Sequence, residues 1–159
     1  MRVALLVALF LAPAAPADDV KLEPISLDGL KKAVEAHKGK VVVIDVWANF
    51  CVPCKEKFPH MVKLSNDFKD KGVVFISLTI DEPEDKAKAL EFLVKNKATF
   101  QNFILEDKDR NEKPGDAKLY HSAPPIVHVY DQTGKLVESY EGKKQAAKLD
   151  DKLLELTKK

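Results

Sequence analysis

Apolar residues in the first part of the chain follow two spacings, that of an amphipathic helix and that of a buried strand. Ser26 can cap a helix that runs to about Lys38, with Gly39 placed to end it, and the apolar residues inside it lie at helical spacing: Leu30, Ala33 and Val34. The next residues, Lys40 to Trp47, form a nearly continuous apolar run rich in Val and Ile. Such a run predicts a strand that is covered on both faces of a sheet.

The same alternation continues through the middle of the chain. Pro53 opens an amphipathic helix that Gly72 ends and that Pro59 is expected to kink, with these apolar positions: Phe58, Met61, Val62 and Phe68. A second buried strand is predicted at residues 73–81. A helix over about residues 85–97 follows, and it should bury Ala87, Leu90, Leu93 and Val94. Because strands and helices alternate here, parallel strand pairing with right-handed crossovers is favoured.

The last third of the chain has a different rhythm. Residues 100–105 can add a strand, whereas residues 107–116 are polar, contain Pro and Gly, and predict a loop. Two apolar segments, 126–130 and 136–140, are joined by a connection containing Asp-Gln-Thr-Gly, which predicts an antiparallel hairpin. A final amphipathic helix is marked by Ala146, Leu149, Leu153 and Leu156. Together these elements predict an α/β fold with a central mixed β-sheet flanked by helices.

The amino terminus has the pattern of an export signal. An apolar run from Val3 to Ala12 follows Arg2, and the small-x-small sequence at residues 15–17 is one that a signal peptidase cuts. We therefore expect a cleaved signal peptide at residues 1–17 and a single domain at 18–159. The apolar run is shorter than the roughly 20 residues of a permanent span, so a retained anchor is the weaker alternative. The expectation is a soluble protein, periplasmic or otherwise extracytoplasmic, with no stable membrane span after cleavage.

Charge and cysteine content narrow the range of functions that the chain can have. The chain has 26 Lys and Arg residues against 25 Asp and Glu, and the two signs are interspersed. This balance argues against a nucleic-acid partner, which would require a clustered basic surface. Export implies an oxidising compartment, in which the two cysteines are expected to form a disulfide. A bridge across two intervening residues constrains little of the unfolded chain, so a purely structural role suits this pair poorly.

Cys51 and Cys54 lie between the first buried strand and the helix that follows it. The free amides and the dipole of a helix amino terminus favour a thiolate at Cys51. Cys54, one turn further along, can then attack a mixed disulfide formed at Cys51. Pro53 fits the first helical turn and stiffens the loop, while Val52 is the less constrained position. The sequence therefore predicts an exposed nucleophile, Cys51, and a shielded resolving cysteine, Cys54.

Asp45 is a lone carboxylate inside the apolar strand. If both faces of the sheet are covered, burial raises its pKa, and the side chain becomes a candidate proton acceptor for Cys54. The alternative is an acid that points to the sheet edge or accepts hydrogen bonds from backbone amides. The pattern alone leaves both interpretations open.

Several other side chains near the cysteines have two interpretations each. Trp47 can shape the surface beside Cys51 or belong to the core, and Phe50 can form an apolar rim for substrate or be an isolated exposed aromatic. A CxxC pair also supplies half of a tetrahedral zinc site, and three histidines come into question: His60, His121 and His128. Without a second CxxC or a histidine pair at finger spacing, we expect no zinc site, and copper capture is the parallel alternative.

The segment WANFCVPCKEKFP resembles thioredoxin-like proteins, and in particular the exported thiol-disulfide oxidoreductases related to TlpA and ResA. Trp47, the Cys-Val-Pro-Cys motif and Pro59 stand where the family has them, and Asp45 takes the place of the buried acid of thioredoxin. In SAPPIVHVYDQTG, Pro125 directly precedes the hairpin, which is the register of the cis-proline of the family. The resemblance extends from Lys40 to the end of the chain and implies a thioredoxin fold.

The resemblance also implies roles for residues and partners. The cis-proline loop of the family lies against the cysteines and offers backbone groups to an extended substrate, a role that falls to Pro125 here. Two residues depart from the family pattern: Pro124 lacks an N–H donor, and Ser77 stands where many thioredoxins have a lysine near the buried acid. The residues expected to contact substrate are Trp47, Phe50, Val52, Pro53, Pro124 and Pro125.

The activity implied is that of a protein-disulfide oxidoreductase without an organic cofactor. Related members are mostly reductants, some of them serving cytochrome c maturation, so the resemblance implies disulfide-bearing protein substrates, apocytochrome c among them, and an upstream thiol electron donor. An oxidant would share every residue named above. The alternative of another class is a binding module, either a copper or zinc chaperone or a non-catalytic thioredoxin fold.

Overall fold

A six-stranded mixed sheet forms the centre of the fold in the computed structural model, which describes residues 20–106, 108, 123–142 and 146–158. The strands are β1 Glu23–Ile25, β2 Val41–Trp47, β3 Val73–Thr79, β4 Gln101–Leu105, β5 Ile126–Tyr130 and β6 Leu136–Glu141. The helices are α1 Leu27–Ala36, α2 Val52–Phe68, α3 Lys86–Lys95 and α4 Ala146–Thr157. The predicted signal peptide, 1–17, and the predicted loop 107–116, apart from residue 108, lie outside the described residues.

The sheet order is β1-β4-β3-β2-β5-β6. The first four strands in this order run parallel, whereas β5 is antiparallel to β2 and β6 is antiparallel to β5. The predictions of parallel pairing in the first part of the chain and of a carboxyl-terminal hairpin are therefore confirmed. Because β2 and β3 are parallel neighbours, their carboxyl ends meet at one edge of the sheet. The cysteine loop leaves β2 at that edge.

Helices cover both faces of β2, whose seven residues are all buried. Alternate side chains of β2, such as Val42 and Ile44, pack against α1 through Leu30 and Val34. The opposite face, with Val41 and Val43, packs against α2 and α4 through Met61, Leu64, Leu149 and Leu153. Full coverage explains why the β2 sequence is nearly continuous in apolar residues. It also places Asp45 in the interior.

The observed element ends agree with the local signals in the sequence. Ser26 caps α1, since its Oγ accepts a hydrogen bond from the Gly29 amide at 3.0 Å. Gly72 has φ +77° after a short 3₁₀ turn that extends α2, a backbone conformation that glycine adopts without a steric penalty. Pro59 lies inside α2. Each of these positions was predicted from residue type alone.

Two features differ from the sequence prediction. The strand β1 was not predicted, because it has only three residues, two of them exposed, and owes its strand conformation to parallel pairing with β4. Of the four residues predicted to be buried on α3, Leu93 is buried and Leu90 is half-buried, but Ala87 is exposed and Ala89 is buried in its place. Val94 is 53% exposed. This orientation packs the ring of Phe92 against Trp47, with centroids 5.0 Å apart.

Candidate redox-active site

Cys51 and Cys54 form a disulfide at the amino terminus of α2, with an S–S distance of 2.03 Å. Cys51 is the N-cap residue of the helix, and its Sγ accepts a hydrogen bond from the Cys54 amide nitrogen at 3.2 Å. The Lys55 amide donates to the Cys51 carbonyl, also at 3.2 Å. Once the disulfide is reduced, an amide directed at Sγ and the positive end of the helix dipole both favour negative charge on Cys51.

The two sulfurs differ in exposure less than the sequence predicted. Cys54 is fully buried, and Cys51 is only 6% exposed, so the prediction of an exposed first cysteine is wrong in extent. The reason is the loop before β5: the Pro124 carbonyl oxygen lies 3.5 Å from Cys51 Sγ. Both cysteines also belong to an apolar cluster with Trp47 and Phe58. Cys51 is still the only one of the two with any accessible surface.

The residues on either side of Cys51 in the chain carry exposed apolar side chains. Phe50 is 72% exposed and Val52 is 59% exposed, and Pro53 is half-buried. Phe50 and Val52 directly precede and follow the cysteine in the chain. Covering them with a partner would remove apolar surface from water, which is favourable.

The loop at Pro125 has the backbone geometry that the resemblance predicted. The Pro124–Pro125 peptide is cis. Pro125 is buried and its carbonyl accepts a hydrogen bond from the Gly142 amide at 3.1 Å, whereas Pro124 is half-buried and lies over Cys51. The structure therefore brings the two prolines and the cysteine pair together, although Pro124 and Cys51 are 73 residues apart in sequence.

Trp47 belongs to the core rather than to the surface. Its side chain is fully buried and its ring lies 5.3 Å from Phe58 and 5.0 Å from Phe92, measured between centroids. The hypothesis that Trp47 contacts substrate directly is thus contradicted, because α3 covers the ring. Trp47 shares an apolar cluster with both cysteines and supports them from the interior.

Asp45 is buried on β2, where it is paired in register with Ser77 of β3 and Val127 of β5. Burial raises the pKa of its carboxyl, and an ion pair between Asp45 Oδ1 and Lys57 Nζ partly opposes that rise. The second carboxylate oxygen, Oδ2, accepts no hydrogen bond from any group in the described part of the chain. The predicted interior position of Asp45 is therefore confirmed, while its role as proton acceptor for Cys54 stays a prediction.

Lys57 is a site residue that the sequence analysis missed. Ser77 stands where many thioredoxins have a lysine, and its hydroxyl donates a hydrogen bond to Asn102 Oδ1 at 2.8 Å. The cation comes from α2, where the Lys57 side chain is 9% exposed and reaches across to β2. Residues three apart on a helix share a face, so the spacing between Cys54 and Lys57 was a signal that could have been used.

Asp81 was also missed, although it follows a buried strand in the same way as the cysteine loop does. Its buried carboxylate accepts hydrogen bonds from Asn49 in the cysteine loop and from Thr79 at the end of β3. An acid directly after an apolar strand could have drawn attention to it, since parallel strands bring such positions to one edge.

Two of the three histidines considered as metal ligands, His60 and His128, have other partners. His60 Nε2 lies 2.8 Å from Asp150 Oδ1, and His128 is buried with Nδ1 3.1 Å from Ser139 Oγ. His121 lies outside the described residues. Within the ranges that the structure describes, no three or more His, Cys, Asp or Glu side chains form a group able to hold a metal ion. None of the helices described there is long and apolar enough to cross a membrane.

Comparison with known families agrees with this geometry. Residues 12–155 match the family model described as Redoxin. The chain belongs to the Redoxin family. Within that family it is 30% identical over 132 residues to the thiol-disulfide oxidoreductase ResA of Bacillus anthracis, covering 82% of this chain and 72% of the relative. It is 29% identical over 129 residues to the thioredoxin-like protein YneN of Bacillus subtilis, covering 80% and 72% of the two chains.

Solved structures of related proteins share the fold of this Redoxin-family chain. A thioredoxin-family thiol:disulfide interchange protein from Chlorobium tepidum has a TM-score of 0.64 at 18% identity, covering 78% of this chain and 84% of the other. A thiol:disulfide interchange protein from a Bacteroides species has a TM-score of 0.60 at 24% identity, covering 83% of this chain and 85% of the other. At these identities the likeness concerns the fold alone. Together with the sequence relatives, it confirms the prediction of a thioredoxin-fold thiol-disulfide oxidoreductase related to ResA.

Proposed function

We propose that this chain reduces disulfides in exported proteins through the Cys51 and Cys54 pair. The observation that carries the proposal is the hydrogen bond from the Cys54 amide to Cys51 Sγ at the start of α2. It favours a thiolate on the more accessible of the two sulfurs. A thiolate rather than a thiol is the species that attacks a disulfide.

The reaction takes place in two exchanges. The Cys51 thiolate attacks one sulfur of the substrate disulfide and expels the other sulfur as a thiolate, leaving a mixed disulfide. The Cys54 thiolate then attacks Cys51 Sγ, which expels the second substrate sulfur and closes the Cys51–Cys54 disulfide. Two electrons pass to the substrate, which leaves as a dithiol after taking up two protons. An upstream thiol donor returns the protein to the reduced state.

Asp45 is the proposed acceptor of the Cys54 proton. Lys57 follows Cys54 by three residues on α2 and contacts Asp45, so the carboxylate faces the side of the helix that carries Cys54. Its Oδ2 accepts no hydrogen bond from the described residues and is available for a proton. Burial raises the pKa of Asp45, which brings this carboxyl closer to the range of a general base.

An extended segment of the substrate would lie over the apolar surface around Cys51. This surface would include Phe50 and Val52, the exposed chain neighbours of Cys51, and the Pro124–Pro125 loop, whose carbonyl lies beside the Cys51 sulfur. Pro124 has no amide proton, so this loop offers the substrate an acceptor, its carbonyl oxygen, rather than a donor pair. We therefore expect recognition to depend more on apolar contact than on strand-like hydrogen bonding.

The proposal also specifies the direction of electron transfer, the compartment and the partners. We infer a reductant that acts outside the cytoplasm, with residues 1–17 removed as a signal peptide and 18–159 as the mature domain. The ResA relatives are named thiol-disulfide oxidoreductases, a name that leaves the direction of electron transfer open. Resemblance to members that serve cytochrome c maturation makes apocytochrome c a substrate to test.

The reduction potential tests the direction. The purified domain is equilibrated in glutathione buffers, and the oxidised fraction is followed through Trp47, the only tryptophan, which packs in one cluster with both cysteines. A reductant should have a potential closer to that of thioredoxin, about −270 mV, than to that of DsbA, about −120 mV. A value near the DsbA end would contradict the proposed direction.

Turnover tests the chemistry itself. The reduced protein should reduce the interchain disulfides of insulin, and Cys51→Ser should abolish this activity. Stoichiometric retention of copper or zinc by a reduced protein that fails to turn over insulin would instead favour the metal chaperone.

A further inference from the structure

We propose that Asp81 is a positioning residue that fixes the turn from Ala48 to Cys51, and so holds the Cys51 sulfur at the start of α2. This inference rests on the proposed function, in which Cys51 is the attacking sulfur. Asp81 touches neither cysteine in any bond found within the described ranges. Its effect would pass through Asn49, which precedes Cys51 by two residues.

The contact with Asn49 uses both main chain and side chain. The Asn49 amide nitrogen lies 2.9 Å from each of the two carboxylate oxygens of Asp81. The Asn49 side-chain nitrogen, Nδ2, donates to Asp81 Oδ2 at 3.1 Å. The Asp81 carboxylate thus contacts both the main chain and the side chain of Asn49, which restricts the position and the orientation of Asn49.

Asp81 is itself fixed to the end of β3. Thr79 Oγ1 donates to Asp81 Oδ2 at 2.6 Å, and the Asp81 amide returns a hydrogen bond to Thr79 Oγ1 at 3.2 Å. The Ile80 amide donates to the Trp47 carbonyl at 3.0 Å, which continues the β2–β3 pairing beyond its last ladder pair. The Asp81 carboxylate therefore anchors the loop to the paired strands β2 and β3.

The rest of the turn has fewer supports. The Cys51 amide donates to the Ala48 carbonyl at 3.0 Å, and this bond closes the turn. Phe50, at its tip, is 72% exposed, so its side chain anchors the turn only weakly to the core. Since α2 begins directly after Cys51, a shift of the turn would move Sγ relative to the Cys54 amide.

A carboxylate suits this position better than the isosteric amide. Three donor groups converge on it: the Asn49 amide, Asn49 Nδ2 and Thr79 Oγ1. An ionised carboxylate only accepts, whereas an asparagine would turn its NH₂ group toward at least one of these donors. Asp81 is 2% exposed, and a buried carboxylate is tolerated when its oxygens are hydrogen-bonded in this way.

The charge of Asp81 and its positioning role act on Cys51 in opposite directions, which makes them separable. A nearby negative charge disfavours a thiolate, so removing only the charge would make Cys51 more reactive. Loosening the turn would weaken the hydrogen bond from the Cys54 amide and make Cys51 less reactive. The sign of the change therefore distinguishes a positioning role from a purely electrostatic one.

The test is the pH dependence of iodoacetamide alkylation at Cys51 in the reduced protein. Asp81→Ala should raise the pH midpoint by about one unit, which is about tenfold slower alkylation below the midpoint, and Asp81→Asn should shift it in the same direction by less. Asp70→Asn, an exposed acid on the turn after α2, is the matched control and should leave the midpoint unchanged. Unchanged or lowered midpoints in both folded Asp81 variants would overturn the proposal.

Two further variants keep the test decisive if Asp81→Ala does not fold. Thr79→Val removes one donor to the carboxylate, and Asn49→Ala removes the side-chain donor but keeps the amide. Both should raise the midpoint by less than Asp81→Ala, with circular dichroism unchanged, and no shift in either would count against the positioning role. Because alkylation needs no substrate, failure of insulin reduction by the unsubstituted protein would contradict the proposed function without altering this outcome.

Discussion

Lys57 of α2 and Asp45 of β2 form an ion pair that is buried between the helix and the sheet. The strand neighbour of Asp45 is Ser77, so the cation comes from the helix rather than from the sheet. The same helix carries both cysteines. The charge state of Asp45 is therefore coupled to α2, and we expect that coupling to appear in stability as well as in activity.

The buried carboxyl predicts a specific pH dependence of stability. Because burial raises the Asp45 pKa above its ordinary value of 3.8, the folded state binds the Asp45 proton over a pH range in which the unfolded state has lost it. Asp45 therefore stabilises the folded state fully at pH values below 3.8, and this stabilisation is lost as the pH rises through the pKa of the folded state. Relative to Asp45→Asn, the protein should lose up to about 1.4 kcal/mol per pH unit in this window, measured by urea denaturation. A difference that is constant with pH would contradict the raised pKa.

Replacing Lys57 by Met should extend to higher pH the range over which the stabilisation by protonated Asp45 is lost. Without the cation, the effect of burial on Asp45 is no longer opposed, so its pKa rises further. The variant should be destabilised by about 3–5 kcal/mol at high pH, where Asp45 ionises without a partner, and by less at low pH, where it is protonated. Lys63→Met, which removes an exposed lysine of the same helix, is the control and should leave the unfolding free energy nearly unchanged at every pH.

Local rules predicted most of the fold because most elements have strong periodic signals. The unbroken apolar run of β2 follows from helices on both faces, and the α1 cap and the β5–β6 hairpin follow from residues at their ends. The Pro124–Pro125 geometry was reached by resemblance rather than by periodicity. The short strand β1 had no such signal, since only its pairing partner makes it a strand.

The site was predicted less completely because several of its contacts join distant segments. Cys51 is covered by a carbonyl from Pro124, and no local pattern around the cysteines indicates that cover. Lys57 was not identified because helical spacing shows that it shares a face with Cys54 but does not show what that face meets. Asp81 likewise acquires its role only when the ends of β2 and β3 are brought together.

The apolar surface beside Cys51 should determine affinity for protein substrates. Val52→Ser removes an exposed apolar side chain, and we expect KM for a protein disulfide to rise about threefold to tenfold with kcat nearly unchanged. Phe50→Ser should have the larger effect. Val94→Ser, a change of the same type at an exposed position on α3, should leave KM unaltered. Equal KM values for all three variants would indicate that substrate docks elsewhere.

Removing the resolving sulfur should trap the intermediate. In Cys54→Ser the second exchange cannot occur, so a mixed disulfide between Cys51 and the substrate should accumulate and survive non-reducing electrophoresis. Cys51→Ser should trap little or none, because the remaining sulfur is fully buried. If the Cys51→Ser variant alone trapped the substrate, Cys54 would be the attacking sulfur and Cys51 the resolving one.

Peptide-resolved alkylation of the reduced, unsubstituted protein across a pH series tests the central claim most directly. Cys51 has the Cys54 amide on its sulfur and retains some exposure, so it should react first, with a midpoint well below the ordinary cysteine value of about 8.5. Cys54 should react last or only after unfolding. Equal rates at both sulfurs, with midpoints near that ordinary value, would contradict an activated nucleophile at the start of α2.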